Sequence, residues 1–239
     1  IKTNVIGSQN VIDACLHADV ERAIAIGTDK AVSPLNTYGA TKLLMEKLFV
    51  TANNYTNPIK HRTKFIAFRY GNVLGSSGSV IPIFIDQIKQ KQKVTITDPE
   101  MTRFSITMDE ALDFILNATT YGKGSEIFVP KMRSYNIMDV VNSLQNLIGN
   151  YGQEVVGIRP GEKLHEVLIN EDEIRHTWEY NGMYVVTNPH YTKFHGKEMQ
   201  ENYNGITKLV DLDNYSSAYS EKISNKEFET MIKNSGLIN

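Results

Sequence analysis

Short hydrophobic segments that alternate with helical patterns constrain the fold of this chain most strongly. Residues 22–26 and 64–70 are mostly apolar runs, each of a length suited to one buried strand. Apolar residues recur at helical spacing before, between and after these runs, over residues 2–18, 36–53 and 80–91. Strands that alternate with helices of this length form parallel βαβ units. The sequence therefore predicts an α/β fold with a Rossmann-like, doubly wound parallel sheet.

Three polar residues follow the first predicted strand. Thr28, Asp29 and Lys30 come after residues 22–26, with Gly27 between. Ligands of such sheets bind outside the carboxyl ends of the strands, so these side chains are candidates for chemistry. The structural alternative is that Thr28 and Asp29 only cap or turn the chain, as these residue types often do. Both interpretations stay open at this point.

The helix after this triplet carries Tyr38 and Lys42. Their spacing places both side chains on one helical face, one turn apart. An ammonium beside a phenol favours the phenolate and lowers the tyrosine pKa toward the range of a general base. The pair alone is a weak motif because both residues are common in helices. The succession of strand, polar triplet, short loop and helix is more specific and predicts an enzyme active site.

The composition is that of an ordinary globular protein, with 41% hydrophobic and 22% charged residues. A net charge of -2 provides no basic surface for nucleic acid and no polybasic membrane anchor. No apolar run is long enough to span a bilayer, and no secretory signal opens the sequence. Cys15 is the only cysteine and His165 lacks partners at metal-ligand spacing, so neither an intrachain disulfide nor a metal site is predicted. We expect a cytoplasmic protein without nucleic-acid or membrane partners.

Two further stretches are candidates for binding an anionic ligand. Residues 71–79 follow the second strand and contain three glycines and three serines, so their backbone N–H groups can approach phosphate oxygens. The alternative is a flexible linkage. Arg103 precedes a short strand and is a candidate phosphate clamp. Arg159 and Glu162, separated by Pro-Gly, are candidates for a diphosphate and a ribose hydroxyl, whereas Glu166 is consistent with a charged turn.

Several motifs occur in order along residues 1–187 and together resemble the extended short-chain dehydrogenase/reductase superfamily. Within it they are similar to the inverting UDP-N-acetylglucosamine 4,6-dehydratases of pseudaminic acid biosynthesis. An ordered set of motifs is far more specific than any single one. The motifs are Thr28-Asp29-Lys30-Ala31, Tyr38-x-x-x-Lys42, Arg69-Tyr70-Gly71-Asn72-Val73, Gly78-Ser79-Val80-Ile81-Pro82, Met101-Thr102-Arg103-Phe104 and Ile158-Arg159-Pro160-Gly161-Glu162-Lys163-Leu164-His165-Glu166.

The resemblance implies a catalytic set of Thr28, Asp29, Lys30 and Tyr38. Tyr38 would act as base at the sugar C4 hydroxyl while hydride leaves C4. Lys30 would then remove the C5 proton, and Asp29 would assist departure of the C6 hydroxyl as water. Hydride returns to C6, and protonation of C5 on the opposite face inverts it. Retaining relatives carry Glu at the position of Lys30, so Lys30 favours inversion.

The resemblance also implies the ligands and their contacts. NADP is the expected cofactor, with NAD as the alternative, and Tyr38, Lys42 and Val73 would contact it. The expected substrate is a UDP-sugar. Its nucleotide would be held by Asn72, Thr95, Thr97, Arg103, Arg159 and Glu162. Ser77 departs from the pattern, because relatives carry Arg there, so no phosphate contact is assigned to it.

Domain organisation follows from the same resemblance. Residues 1–74 and 104–134 would form the Rossmann-like domain, and residues 75–103 and 135–239 a nucleotide-sugar-binding lobe with a C-terminal tail. No Gly-rich dinucleotide fingerprint precedes the first helix, so we expect a fragment without the pyrophosphate and adenosine site. A homo-oligomer is implied as well.

Two alternatives stay open. The first is a related capsule or O-antigen UDP-sugar 4,6-dehydratase/5-epimerase; that group often has Met at the position of Tyr38, which argues against it. The second is a non-catalytic member of the superfamily or an inactive fragment. The absent Gly-rich segment favours this second alternative, whereas the presence of Asp29, Lys30, Tyr38 and Lys42 opposes it.

Overall fold

The computed structural model describes residues 1–54, 60–76, 79–191, 193 and 196–238. The chain folds into two compact units, and each unit is built from three segments. Unit 1 comprises residues 1–70, 112–131 and 167–215, and unit 2 comprises residues 71–111, 132–166 and 216–239.

The helices and strands are numbered along the chain. The helices are α1 (Gly7–His17), α2 (Thr37–Ala52), α3 (Val80–Lys89), α4 (Met108–Tyr121), α5 (Ile137–Ile148), α6 (Glu171–Ile174) and α7 (Asn225–Asn234). A π-helical turn, Lys2–Ile6, precedes α1, and 3-10 turns cover Asp29–Ala31 and Met199–Asn202. The strands are β1 (Arg22–Ile26), β2 (Lys64–Phe68), β3 (Asn72–Val73), β4 (Val94–Ile96), β5 (Thr102–Ile106), β6 (Ile127–Pro130), β7 (Arg133–Asn136), β8 (Gln153–Val155), β9 (Val167–Ile169), β10 (Thr177–Tyr180), β11 (Met183–Val186), β12 (Thr207–Lys208) and β13 (Tyr215–Ser216).

Unit 1 is organised around a six-stranded sheet in the order β1-β2-β6-β11-β10-β12. The first three strands are parallel, with β1 paired to β2 and β2 to β6, which confirms the predicted α/β class. Their apolar residues lie in the core; Phe68 and Phe128 are fully buried. Because crossover helices cover both faces of such a sheet, its strands are apolar runs rather than alternating ones. This is why the sequence pattern revealed β1 and β2.

The antiparallel half of this sheet was not predicted. Strands β11, β10 and β12 pair antiparallel to their neighbours. The β10–β11 hairpin turns at Asn181 and Gly182, which both have positive φ angles of 45° and 77°. Asn-Gly between two apolar runs is the strongest short-range signal for such a hairpin. That dipeptide is the feature of the sequence that would have identified it.

Unit 2 contains two small sheets, β3-β5-β7 and β4-β8. Helices α3, α5 and α7 pack in the same unit around a separate core. Leu144 of α5 and Phe228 of α7 are fully buried there, and the ring of Phe228 lies 5.3 Å from that of Tyr135. The apolar residues of these helices follow the i, i+3, i+4 spacing that buries one helical face.

The boundaries of the two units differ from those of the predicted domains. The largest difference is at residues 167–215, which were predicted to lie in the nucleotide-sugar-binding lobe and which belong to unit 1. The reason is strand pairing, since β11 continues the parallel sheet through its hydrogen bonds to β6. Among the described residues, no helix combines the length and apolarity needed to cross a membrane.

Candidate functional site

The polar triplet after β1 forms a short hydrogen-bonded turn in unit 1. The Thr28 hydroxyl donates to Asp29 Oδ1 over 2.8 Å, and Lys30 Nζ lies 3.1 Å and 3.3 Å from the two carboxylate oxygens of Asp29. The Asp29 side chain is only 3% exposed, whereas that of Lys30 is 46% exposed. One buried carboxylate is therefore shared by a hydroxyl and an ammonium that reaches solvent. Such a group can pass a proton between its partners.

Backbone hydrogen bonds fix this turn to the end of the neighbouring strand. Gly27 N donates to Phe68 O over 2.6 Å, and Asp29 N donates to Tyr70 O over 3.2 Å. The turn thus lies at the carboxyl end of β1, beside the carboxyl end of β2. This is the edge at which ligands of parallel sheets bind.

Helix α2 begins beside the same turn. The Asn36 side chain accepts a hydrogen bond from Gly39 N over 2.9 Å and so caps the helix. A Cβ atom at Gly39 would clash with the Lys30 carbonyl oxygen and would lie 2.8 Å from Pro34 Cβ. Only glycine allows the first turn of α2 to approach the Asp29–Ala31 turn this closely. This role of Gly39 was not predicted, although a glycine in the first turn of a helix is a signal for close approach.

Tyr38 and Lys42 project from one face of α2, as predicted from their spacing. The Tyr38 side chain is accessible, since the residue is 52% exposed. Lys42 is partly buried, and this desolvation lowers the pKa of its ammonium below the usual range. Its Nζ lies 4.0 Å from Met45 Sδ. An accessible phenol and a partly desolvated ammonium are the groups that the predicted acid–base pair requires.

Tyr70 is a further aromatic residue at this edge, and no role was predicted for it. Burial raises the pKa of its phenol, and charge on the nearby Tyr38 raises it further. Its ring lies 5.7 Å from that of Phe68. A second phenol therefore lies within electrostatic reach of Tyr38, although its own titration is shifted away from neutral pH.

A second polar cluster lies in unit 2 and is centred on Glu166. Asn72 Nδ2 donates to Glu166 Oε1 over 2.8 Å, and Phe104 N donates to Glu166 Oε2 over 2.9 Å. Arg103 Nε lies 3.4 Å from Glu166 Oε1, and Arg103 Nη2 lies 3.6 Å from Glu162 Oε1. The structure thus brings together Asn72, Arg103 and Glu162, all predicted nucleotide contacts.

The interpretation of Glu166 as part of a charged turn was wrong. The residue is 3% exposed and joins the strand that bears Asn72 to the strand that bears Arg103. A buried carboxylate needs partners for its charge, and Arg103 with two N–H donors supplies them here. Sequence spacing could not indicate that Glu166 is buried and paired, because Asn72 and Glu166 are 94 residues apart.

The other predicted contacts of unit 2 lie on β3, on and after β4, and in the loop before Glu162. The Thr95 hydroxyl accepts a hydrogen bond from Gln87 over 2.8 Å, so part of its capacity is used within the protein. Thr97 is half-buried after β4, and Val73 is half-buried in β3. Arg159 is exposed in the loop before Glu162, whose N–H donates to the Arg159 carbonyl oxygen over 3.1 Å. Ser77 and Gly78 of the predicted phosphate loop lie outside the described residues.

His165 belongs to a hydrogen-bonded group of side chains in unit 2. Its Nδ1 lies 2.8 Å from Thr102 Oγ1, which in turn lies 2.7 Å from Ser217 Oγ. Burial lowers the pKa of His165, and the charges of Lys222 and Arg103 lower it further. Within the part of the chain that the structure describes, no group of three or more His, Cys, Asp or Glu side chains could hold a metal ion.

Comparisons with known proteins agree with the motifs. Residues 1–188 match the family model described as polysaccharide biosynthesis protein. A protein of Campylobacter jejuni subsp. jejuni (strain 81-176) named UDP-N-acetylglucosamine 4,6-dehydratase (inverting) is 46% identical over 188 residues, which are 78% of this chain and 55% of that protein. The chain therefore spans about half the length of this relative. A UDP-glucose 4-epimerase of Rickettsia felis is 35% identical over 235 residues, which are 98% of this chain and 67% of that protein.

The fold is also shared with a solved structure. Pen from Bacillus thuringiensis superposes with a TM-score of 0.84 at 33% identity, over 99% of this chain and 68% of that chain. This likeness confirms the predicted fold class, and the relatives confirm the resemblance that the motifs carry. Since the family model covers most of the sequence, the chain belongs to the polysaccharide biosynthesis protein family.

Proposed function

We propose that the full-length protein eliminates water from UDP-N-acetylglucosamine in an NADP-dependent reaction that inverts C5. The product would be UDP-2-acetamido-2,6-dideoxy-beta-L-arabino-hex-4-ulose, the first intermediate of pseudaminic acid synthesis. The observation that carries the proposal is the contact between Lys30 and Asp29, whose charged atoms lie 3.1 Å apart beside the helix of Tyr38. The 46% identity to a protein named as an inverting dehydratase supports it.

The Lys30–Asp29 contact provides a base and an acid in one proton transfer. Passing a proton from the Lys30 ammonium to the Asp29 carboxylate leaves a neutral amine and a carboxylic acid. The amine then removes the C5 proton, and the acid protonates the departing C6 hydroxyl, which leaves as water. Both groups return to their starting charges, so the step balances. The Thr28 hydroxyl, which donates a hydrogen bond to Asp29 Oδ1, would orient this acid.

Lys42 on the same helical face would stabilise Tyr38 as the phenolate, and this phenolate would remove the proton of the C4 hydroxyl and become a neutral phenol. A bound nicotinamide dinucleotide supplies the hydride acceptor and donor that the 4-keto stage requires. Tyr38 and Lys42 fit such a cofactor, because an exposed phenol and a partly buried ammonium can both form hydrogen bonds to its ribose hydroxyls. Val73 would contact the cofactor from β3. We propose NADP as this cofactor, with NAD as the alternative.

Unit 2 would bind the nucleotide of the substrate. Arg103 has a planar guanidinium suited to phosphate oxygens, and Glu166 and Glu162 hold it in place. Asn72, Arg159 and Glu162 would complete the diphosphate and ribose contacts. Thr95 and Thr97 would lie along the uridine.

Titration calorimetry of this chain with UDP tests the nucleotide assignment. We expect Arg103→Ala to weaken UDP binding by roughly 10–100-fold, because it removes a hydrogen bond from a charged group. Arg175→Ala is the matched control, since Arg175 is 73% exposed and pairs with Asp172 in unit 1. Equal UDP affinity of the two variants would contradict the assignment.

The reaction itself is tested by incubating the full-length protein with UDP-N-acetylglucosamine in deuterated water. Inversion requires that C5 receives a solvent-derived proton, so the 4-keto-6-deoxy product should carry deuterium at C5 with inverted configuration. A product with retained C5 configuration would overturn the role of Lys30. Lys30→Glu should abolish dehydration, whereas Lys89→Glu, an exposed lysine at the end of α3, should leave it unchanged.

Epimerisation at C4 is a second candidate, favoured by one observation. The Rickettsia relative named UDP-glucose 4-epimerase matches 98% of this chain, whereas the Campylobacter dehydratase matches 78%. In a 4-epimerisation the C5 proton and the C6 hydroxyl stay in place, so Lys30 and Asp29 would move no proton. The same incubation distinguishes the reactions, because an epimer retains the mass of the substrate and takes up no deuterium at C5.

A further inference from the structure

Arg69 directly follows β2 and is completely buried in unit 1. Its guanidinium bonds both oxygens of Glu46 over 2.5 Å and 2.6 Å and both oxygens of Glu173 over 2.8 Å and 2.7 Å. Its remaining N–H donates to the Leu168 carbonyl oxygen over 3.0 Å. All five N–H donors of the guanidinium are thus used. The pKa of Glu173 is lowered, because Arg69 outweighs the opposing effect of burial.

Glu46 connects this network to the proposed acid–base pair. It lies on α2 one turn after Lys42 and two turns after Tyr38, so the three side chains share one face of the helix. Its side chain is fully buried. A bidentate bond to a fixed guanidinium restrains both the rotation of α2 about its axis and its position along the sheet. Tyr38 and Lys42 are restrained with it.

The network also adjoins the turn that bears Asp29. A Cβ atom at Gly27 would lie 3.4 Å from Arg69 Cγ and 3.5 Å from Glu46 Oε2, so the ion pair lies directly against the residue before Thr28. The next residue after Arg69 is Tyr70, whose carbonyl oxygen accepts the hydrogen bond from Asp29 N over 3.2 Å. The Arg69 side chain therefore bonds α2 through Glu46 and also lies against Gly27, which leads into the turn that holds Asp29.

We propose that Arg69 and Glu46 are positioning residues that hold Tyr38 and Lys42 in place relative to Asp29 and Lys30. The inference rests on the proposed function for its consequence in catalysis. Net stability alone is a poor reason for such a network, because buried ion pairs are often replaceable by apolar residues without loss. The planar guanidinium of Arg69, with its five hydrogen bonds, fixes the relative positions of its partners, whereas an apolar contact would not.

Glu46→Gln and Glu173→Gln form a matched pair of variants. Each replaces one carboxylate partner of Arg69 by its amide isostere, but only Glu46 lies on α2, since Glu173 lies on α6. In the full-length protein we expect Glu46→Gln to lower kcat by roughly 10–100-fold with little change in KM, because small misplacement of reacting groups costs about that much. Glu173→Gln should keep kcat within about threefold of the wild type.

Hydrogen exchange of this chain tests the positioning without any turnover. Amides of residues 37–45 should exchange roughly tenfold faster in Glu46→Gln than in Glu173→Gln, because local opening of α2 becomes easier. Equal exchange and equal kcat in the two variants would overturn the inference. If Glu46→Gln does not fold, Glu46→Asp and Glu173→Asp are compared by the same two measurements and the same criterion. An inactive wild type would refute the proposed function alone, since the exchange comparison would still decide the positioning role.

Discussion

Removal of the Arg69 side chain should destabilise unit 1 more than removal of any exposed arginine. In Arg69→Ala the carboxylates of Glu46 and Glu173 lose their shared cation while their side chains are 0% and 16% exposed. Breaking a buried ion pair from one side typically costs ~3–5 kcal/mol, because the remaining charge is left desolvated. The free energy of unfolding should fall by about this amount.

Urea unfolding followed by tryptophan fluorescence measures the effect. Trp178 is the only tryptophan and lies in β10, so its emission reports on unit 1. Arg62→Ala is the matched control: Arg62 Nε lies 3.3 Å from Asp19 Oδ2, but the two side chains are 67% and 51% exposed. An exposed pair contributes about 0–1 kcal/mol. A difference between the two variants below about 1 kcal/mol would refute the argument from burial.

The pH dependence provides a second check on the same variant. In the wild type the folded-state pKa of Glu173 is lowered, so its contribution to stability is present above the unfolded pKa and is lost as the pH falls through the folded pKa. Without Arg69, desolvation raises the pKa of Glu173, so its carboxyl binds a proton more readily in the folded state than in the unfolded state. The stability of Arg69→Ala should therefore rise, relative to the wild type, as the pH is lowered toward the ordinary carboxyl range.

Three further predictions concern other parts of the chain. Burial raises the pKa of Glu126 above its ordinary value of 4.5, although hydrogen bonds such as that from Tyr203 oppose the shift, so folding stability should fall as the pH rises from 4.5 toward the raised pKa. Urea unfolding at several pH values should show a flatter dependence for Glu126→Gln, and an unchanged slope would contradict this. Asn36→Ala removes the cap on Gly39 N and should cost about 1 kcal/mol in the same unfolding assay; a loss below about 0.3 kcal/mol would mean that water replaces the cap. Gly71→Ala would place a Cβ atom 2.5 Å from Phe104 Cβ and should destabilise unit 2 by ~1–3 kcal/mol, measured by circular dichroism; wild-type stability would show that the backbone relaxes.

Local patterns were predicted well because their causes lie within a few residues of the chain. Thr107 and Glu110 have the spacing of a capping box, and the Glu110 carboxylate accepts from Thr107 N over 2.8 Å. Asn136 is a second local cap, since its side chain accepts from Met138 N over 2.7 Å at the start of α5. The apolar runs of β1 and β2 were visible in the sequence for a similar reason, since burial on both faces requires an unbroken apolar segment.

The sequence by itself determined the α/β class, the positions of helices α1, α2 and α3, and the family, because helical periodicity and ordered motifs are properties of neighbouring residues. Only the tertiary structure decided which charged and polar side chains meet in the interior. Arg69 and Glu173 are 104 residues apart, and Asn72 and Glu166 are 94 residues apart. No spacing rule reaches across such distances, because the pairs exist only once separate elements pack and exclude water from the charges between them.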